Sequence, residues 1–219
     1  VVFFRRFHKK SFSQFGEDMI VDQLFSPEHK GYYVDIGAHR PTQSSNTYFF
    51  YRKGWRGINI DAMPGSMKLF NVVRPRDINI EAAISDKNEE LTFYMFNRPL
   101  QNGFFNDDSS VPKNEGLRIV SKRKILTSRL DKILDKHVPT GFQIDLMSVD
   151  VEGLDLSVLK SNDWLKYKPN VILIEVWEFQ IAKLHDYEVH KFLQSHNYSF
   201  YSRSVHTLVY TKNGIAFPL

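Results

Sequence analysis

Acidic residues recur where short β-rich runs of this chain end. Asp35 closes the first run, Asp61 the second, Ser85 and Asp86 the third, Asp150 and Glu152 the fourth, and Glu175 the fifth. A carboxylate in such a place can accept hydrogen bonds from ribose hydroxyls, balance a cationic ligand group, or take a proton from a reacting hydroxyl. A lone Asp there equally suits a helix cap or a turn. Recurrence along successive strand ends points to a ligand, because open parallel sheets bind at the carboxyl ends of their strands.

The first of these turns, Asp35-Ile-Gly37-Ala38-His39-Arg40, carries one glycine and an acid at its mouth. A dinucleotide site needs G-x-G-x-x-G so that pyrophosphate can sit on backbone N–H groups. A carboxylate repels that phosphate. It welcomes a ligand with a cationic amino acid at one end and a nucleoside at the other, with Gly37 allowing close approach and Asp61 placed for the ribose. S-adenosylmethionine has that shape. At the fourth strand end, Asp150-Val-Glu152-Gly153 stands where base-amine methyltransferases hold their acceptor with an Asn/Asp-Pro-Pro-aromatic run. Alternate strand residues point the same way, so Asp150 and Glu152 face one site if the strand extends that far. Two carboxylates suit an acceptor hydroxyl that must lose a proton. Asp150 and Glu175 are also oxygen donors of the kind a hard divalent cation takes, and no ligand spacing separates that arrangement from a metal-free base. His39 and His206 are further candidate bases, although a histidine is more often structural.

The elements that would position these groups follow from periodicity and turn residues. A helix is expected around Gln14 to Phe25, then strands near Gly31 to Ile36, Gly57 to Asp61, Ile78 to Ser85, Ile144 to Val149 and Val171 to Val176, with helical patterns between. Leu91 to Phe96 and Lys122 to Thr127 are β-rich and bracket Asn97 to Gly116, whose Gly, Asn, Asp, Ser and Pro content marks a long loop. Phe104, Phe105, Asp107 and Asp108 in that loop could stack on and hydrogen-bond a sugar. Tyr198 to Ser202 and Thr207 to Thr211 are short strands joined by a few residues, so the last runs antiparallel. The expected architecture is α/β: a mostly parallel seven-stranded sheet, its last strand antiparallel, with helices on both faces. We expect one domain over 1–219, with 1–12 a possible remnant of a longer N-terminal extension and 97–118 an inserted loop or lid.

Composition limits the alternatives. The chain has 219 residues, 42% of them apolar, enough for one well-buried core. Runs such as Asn170-Val-Ile-Leu-Ile-Glu175 fall far short of the ~20 residues of a membrane-spanning helix, and no signal-peptide pattern opens the sequence. We expect a soluble, cytoplasmic protein without an integral membrane segment. With no cysteine, disulfides, thiolate metal sites and cysteine nucleophiles are excluded. A net charge of +4 suits a phosphorylated or acidic acceptor as well as an ordinary solvated surface. The lysines and arginines are scattered, whereas nucleic acid asks for a denser basic stripe.

An ordered series of motifs resembles the FkbM family of S-adenosylmethionine-dependent methyltransferases. It comprises Gln14-Phe-Gly-Glu17-Asp18, Val34-Asp-Ile-Gly-Ala-His39, Gly54-Trp-Arg-Gly57 leading to Asn59-Ile-Asp-Ala-Met-Pro64, Glu81-Ala-Ala-Ile-Ser-Asp86 and Ser148-Val-Asp-Val-Glu-Gly153, and runs from about Ser13 to Val176. The first turn departs from the family's glycine-rich form in continuing His39-Arg-Pro41. The resemblance implies a class I, Rossmann-like fold and O-methylation of hydroxyls on sugars, surface glycans or natural products. Carried over, it puts Asp35, Gly37, Ala38 and His39 on the methionine and sulfonium side of the cofactor. Asp61 then holds the ribose, Ala62 and Met63 lie against the adenine, Ser85 and Asp86 approach its edge, and Gln14 and Glu17 reach the methionine end. Catalysis falls to Asp150, Glu152 and Glu175. The expected acceptor is a sugar hydroxyl, in a sugar nucleotide or a capsule or lipopolysaccharide precursor; its identity and the oligomeric state stay open. Two other classes compete with this reading. A nicotinamide-dependent sugar-nucleotide oxidoreductase could use Tyr187-x-x-x-Lys191 but lacks its glycine fingerprint. A non-catalytic binding module on the same fold fits poorly with retained Asp35, Asp61 and Asp150.

Overall fold

The computed structural model describes residues 9–105 and 107–217. Most of the expected N-terminal remnant therefore lies outside the described residues. The central sheet is built from β1 (Tyr32–Ile36), β2 (Arg56–Asp61), β3 (Ile78–Glu81), β8 (Leu146–Val149), β9 (Val171–Glu175), β10 (Tyr198–Ser204) and β11 (Thr207–Lys212). Its seven strands lie in the order β10-β11-β9-β8-β1-β2-β3. Neighbours from β9 to β3 are parallel, while β11 runs antiparallel to both β9 and β10. The parallel strands are apolar on consecutive residues because both faces are covered. On one face Tyr33, Leu146 and Leu173 meet Val21 of α1 (Glu17–Asp22) and Phe50 of α2 (Tyr48–Arg52). On the other, Val34, Met147 and Ile172 meet Leu134 of α4 (Leu130–His137), Val158 of α5 (Asp155–Lys160) and Leu193 of α6 (Glu188–Ser195). Helix α3 (Met67–Val73) buries Met67 and Phe70 against Ala38.

Three expectations need correction. The run Ile78 to Ser85 is not one strand: after Glu81 the chain leaves the central sheet, and β4 (Ala83–Ile84) joins a second sheet, beside β7 (Ile119–Ser128), which is followed by β5 (Glu90–Phe96) and β6 (Gly103–Phe104). The cause is visible at Ala82, whose N–H still bonds the Asp61 carbonyl while Ala83 already pairs with Thr127. The helix expected from Gln14 begins only at Glu17, after Gly16 at φ 87°, and Gln14 lies exposed in the bend before it. The polar stretch after Phe96 is not featureless either. β5 (Glu90–Phe96) and β7 (Ile119–Ser128) pair antiparallel along their length, and between them come a 3-10 turn, Pro99–Gln101, and β6 (Gly103–Phe104), which pairs with β5.

Candidate active site

The parallel register sets four chain ends side by side. Ile36 is level with Ile60 and Val149, and Val149 with Ile174. The next residue on each strand is therefore Asp61, Gly37, Asp150 and Glu175, in the order β2, β1, β8, β9. Gly37 makes this row possible. Its φ is +82°, and a Cβ there would lie 1.6 Å from the Asp150 carbonyl oxygen, so only glycine fits. What the glycine admits is thus the neighbouring strand, with Gly37 and Ala38 both donating to the Ile60 carbonyl at 2.9 and 3.0 Å.

Asp61 joins the first two turns. Its Oδ2 accepts from the His39 N–H and its Oδ1 from the Met63 N–H, each at 2.8 Å. Burial raises its pKa against those bonds, and each oxygen keeps a further lone pair. His39 takes a left-handed φ of 50° to reach Asp61, and its buried Nε2 has no partner among the described residues. Burial depresses its pKa, so the ring is neutral near pH 7. Asp35 is 4% exposed. It accepts from Thr47 Oγ1 at 2.6 Å and sits beneath the turn. Glu17, buried, accepts from the Phe15 N–H at 2.8 Å and from Thr207 Oγ1 at 3.5 Å, which places it beside the β9–β11 edge because Thr207 pairs with Glu175. Ser85 and Asp86 follow β4, where Ser85 Oγ donates to Asp86 Oδ1 at 3.3 Å.

Asp150, Glu152 and Glu175 converge: a carboxylate oxygen of each lies within 4.8 Å of the others. The expected route was a strand extending to Glu152, but β8 ends at Val149. A turn brings Glu152 back instead, with Glu152 at φ 52°. Asp155, which sequence reasoning passed over, holds that turn by accepting from the Val151 and Gly153 N–H groups at 3.1 and 3.2 Å. The acid four residues beyond Val151, opening α5, was the available signal. Burial pushes every acid here upward, and for Asp150, Glu152 and Glu175 the nearby carboxylates add to it. Asp150 rises well above the usual range beside Glu175, Glu152 to about 8 beside Asp150, Glu175 to about 7 beside Glu152, and Asp155 to about 6 from burial. Of the pair formed by Asp150 and Glu175, Asp150 is the one pushed furthest toward its neutral form, by burial first and then by the Glu175 charge. Three carboxyls this close do not all ionise; protons, a cationic ligand group or a metal ion must balance them. Their oxygens form a donor set suited to a hard divalent cation, with Glu152 added to the Asp150 and Glu175 expected from sequence.

The second sheet forms one wall. A Cβ on Gly103 would lie 2.9 Å from the Glu152 Cβ, and Asn102 Nδ2 approaches Met63 Sδ at 3.5 Å. The insertion therefore touches the turns after both β2 and β8. Its aromatic rings are engaged with its own sheet: Phe104 packs on Phe93 at 5.0 Å, and Phe105 meets Tyr94 edge-on at 5.6 Å. Asp107 caps Ser109 and Ser110, and Asp108 pairs with Lys122. These residues hold the insertion together, contrary to the expectation that they face a ligand. Tyr187 is likewise committed, its hydroxyl donating to the Glu178 carbonyl and accepting from the Gln180 N–H, while Lys191 pairs with Glu188.

A parallel sheet with one reversed strand next to its edge, and acids in a row at the strand ends, defines the Rossmann-like class I methyltransferase fold. Residues 35–200 match the family model described as the Methyltransferase FkbM domain. The match covers well over half of the chain, and the protein belongs to the FkbM methyltransferase family. Among solved structures the chain is similar to the precorrin-6y C5,15-methyltransferase of Geobacter metallireducens GS-15, at 12% identity and a TM-score of 0.48, over 90% of this chain and 88% of that one. No curated protein matches. No helix among the described residues is long and apolar enough to cross a membrane.

Proposed function

We propose that this methyltransferase uses S-adenosylmethionine to methylate a sugar hydroxyl, in a sugar nucleotide or a surface-glycan precursor. The convergence of Asp150, Glu152 and Glu175 within 4.8 Å, one strand from the Gly37 turn, supports this reading most directly. An amine acceptor needs a cradle of neutral hydrogen-bond acceptors, whereas this site offers carboxyls that can take a proton. Bound S-adenosylmethionine would supply an electrophilic methyl group on a cationic sulfonium, and the uncompensated acids suit that charge. Asp61 holds the ribose hydroxyls on the lone pairs its backbone donors leave free. Ala62 and Met63 would hold the adenine, with Ser85 and Asp86 toward its edge. Gln14 and Glu17 attend the methionine end, with Asp35, Gly37, Ala38 and His39 forming the floor.

Glu175 accepts the hydroxyl proton, because the Trp177 indole N–H donates to it and so favours its ionised form. Asp150 keeps its own proton, and Glu152 orients the acceptor. A positioned base contributes ~10²- to 10⁴-fold and alignment several kcal/mol more. We place the reaction in the cytoplasm, reading the cysteine-free composition as fitting a reducing compartment. The same three residues, Asp150, Glu152 and Glu175, would hold a divalent cation in a second arrangement, and that ion would lower the hydroxyl's pKa.

The test is a screen of sugar nucleotides and glycan fragments with labelled cofactor, followed by mass spectrometry. Methylation on a sugar oxygen is the expected result; methylation on nitrogen, or of RNA or protein, overturns it. Calorimetry with S-adenosylhomocysteine and NAD should show tight binding of the first alone. Full activity in chelator removes the cation from the mechanism.

A further inference from the structure

Trp177 follows β9 by two residues and is 55% exposed. An exposed indole usually turns freely, but this one is fixed. Its Nε1 donates to Glu175 Oε2 at 3.0 Å. The His206 ring lies against it with centroids 4.4 Å apart and planes tilted by 31°, and Phe15 meets His206 edge-on at 6.0 Å. His206 is itself held, since its carbonyl accepts from the Val176 N–H at 2.8 Å. One indole face is therefore backed by a ring, and the Nε1 edge is bonded to a carboxyl of the acid cluster. Burial in a core does not account for a ring this exposed. The aromatic side chains on the opposite wall, Phe104 and Phe105, are already packed against β5.

A flat apolar face edged by carboxyl acceptors matches the two surfaces of a pyranose, whose C–H groups lie on one side and whose hydroxyls radiate from the rim. We propose that the open face of Trp177 is the acceptor subsite, on which a sugar ring stacks so that one of its hydroxyls reaches Glu175. This rests on the reading of the acceptor as a sugar. It assigns Trp177 as the residue that selects a ring with an apolar face, with His206 as its support.

The experiment follows the indole N–H resonances of ¹⁵N-labelled protein saturated with S-adenosylhomocysteine, during titration with the methyl glycosides of glucose, galactose, mannose and rhamnose. The protein has three tryptophans, and Trp55 and Trp164, bonded to the His29 and Leu159 carbonyls, serve as internal references. Trp177→Phe identifies the third resonance. We expect that resonance alone to move with at least one glycoside. Trp177→Ala should weaken glycoside binding about tenfold or more, Trp177→Phe no more than about threefold, and both should bind S-adenosylhomocysteine within about twofold of wild type. A Trp177 resonance that stays still with every glycoside, or a Trp177→Ala protein that binds sugar like wild type, overturns the proposal. If Trp177→Ala does not fold, seen as loss of the Trp55 and Trp164 resonances, the wild-type titration decides. Failure of the underlying reading looks different: wild type then does not bind S-adenosylhomocysteine, or its product is methylated on nitrogen.

Discussion

Buried acids occupy two contrasting settings at opposite ends of the same sheet. At the amino-terminal end, Asp77 precedes β3 and accepts from Arg74 Nε at 2.9 Å, Tyr33 Oη at 2.6 Å, Asn59 Nδ2 at 3.0 Å and the Gly57 N–H at 3.0 Å. Asp145, before β8, accepts from the Tyr32 N–H and from Asn170 Nδ2, both at 3.0 Å. Arg74 is fully buried, and its guanidinium also donates to Thr47, which donates in turn to Asp35. At the carboxyl end Asp150, Glu152 and Glu175 face one another, and no described salt bridge joins them to a lysine, arginine or histidine. A compensated acid cements the fold. An uncompensated group of acids carries a cost that only a ligand or a reaction explains. Asp35 sits where the two settings meet, which is why one side of it is structural and the other borders the turn assigned to the cofactor.

Breaking the compensated end should have the largest effect. Arg74→Met leaves Asp77 without its cation, and we expect a loss of about 3 to 5 kcal/mol in urea unfolding; a loss under about 1 kcal/mol would make the two ends equivalent. Glu175→Gln should lower turnover by roughly 10²-fold or more while S-adenosylhomocysteine binding changes little. Asp150→Asn should cost less, since burial already holds Asp150 toward its neutral form and an amide keeps that neutrality. Equal turnover in Glu175→Gln and wild type rules Glu175 out as the base. Asp61→Ala should weaken S-adenosylhomocysteine binding by about 1.5 to 3 kcal/mol, the scale of a charged hydrogen bond. An unchanged dissociation constant sinks the ribose assignment.

The smaller effects concern pH. Turnover should rise with pH through a limb near 7, where Glu175 ionises, and a limb near 4 would show that the acids do not interact as placed. Glu152 is protonated in the folded protein up to about 8 but ionises near the ordinary carboxylate value when unfolded. Its contribution to stability is therefore greatest at acidic pH and is lost as pH rises through that window. Glu152→Gln should accordingly raise stability at pH 9 by about 1 to 2 kcal/mol, seen as a melting temperature higher by ~2 to 8 °C. No gain at pH 9 would mean that Glu152 is solvated.

Apolar runs bounded by turn residues placed the inner parallel strands of the central sheet to within a few residues, because burial on both faces demands consecutive apolar residues, as in Val171–Glu175. The acids at strand ends, the Gly37 turn and the order of motifs were likewise present in the sequence, since each depends on residues adjacent in the chain. The sequence by itself also determined the methyltransferase family. Tertiary structure alone decided the rest. That Glu175 meets Asp150 follows from β8 and β9 lying side by side, and that Glu152 joins them follows from a left-handed turn held by Asp155. The departure of the chain at Ala82 depends on pairing between β4 and β7, whose partners are more than 40 residues apart in the chain, and the wall that Gly103 sets against Glu152 depends on a contact between two distant segments. Periodicity reports which face of an element is buried. It carries no information on which distant element supplies the partner, and the convergence of this cluster depends on that partner.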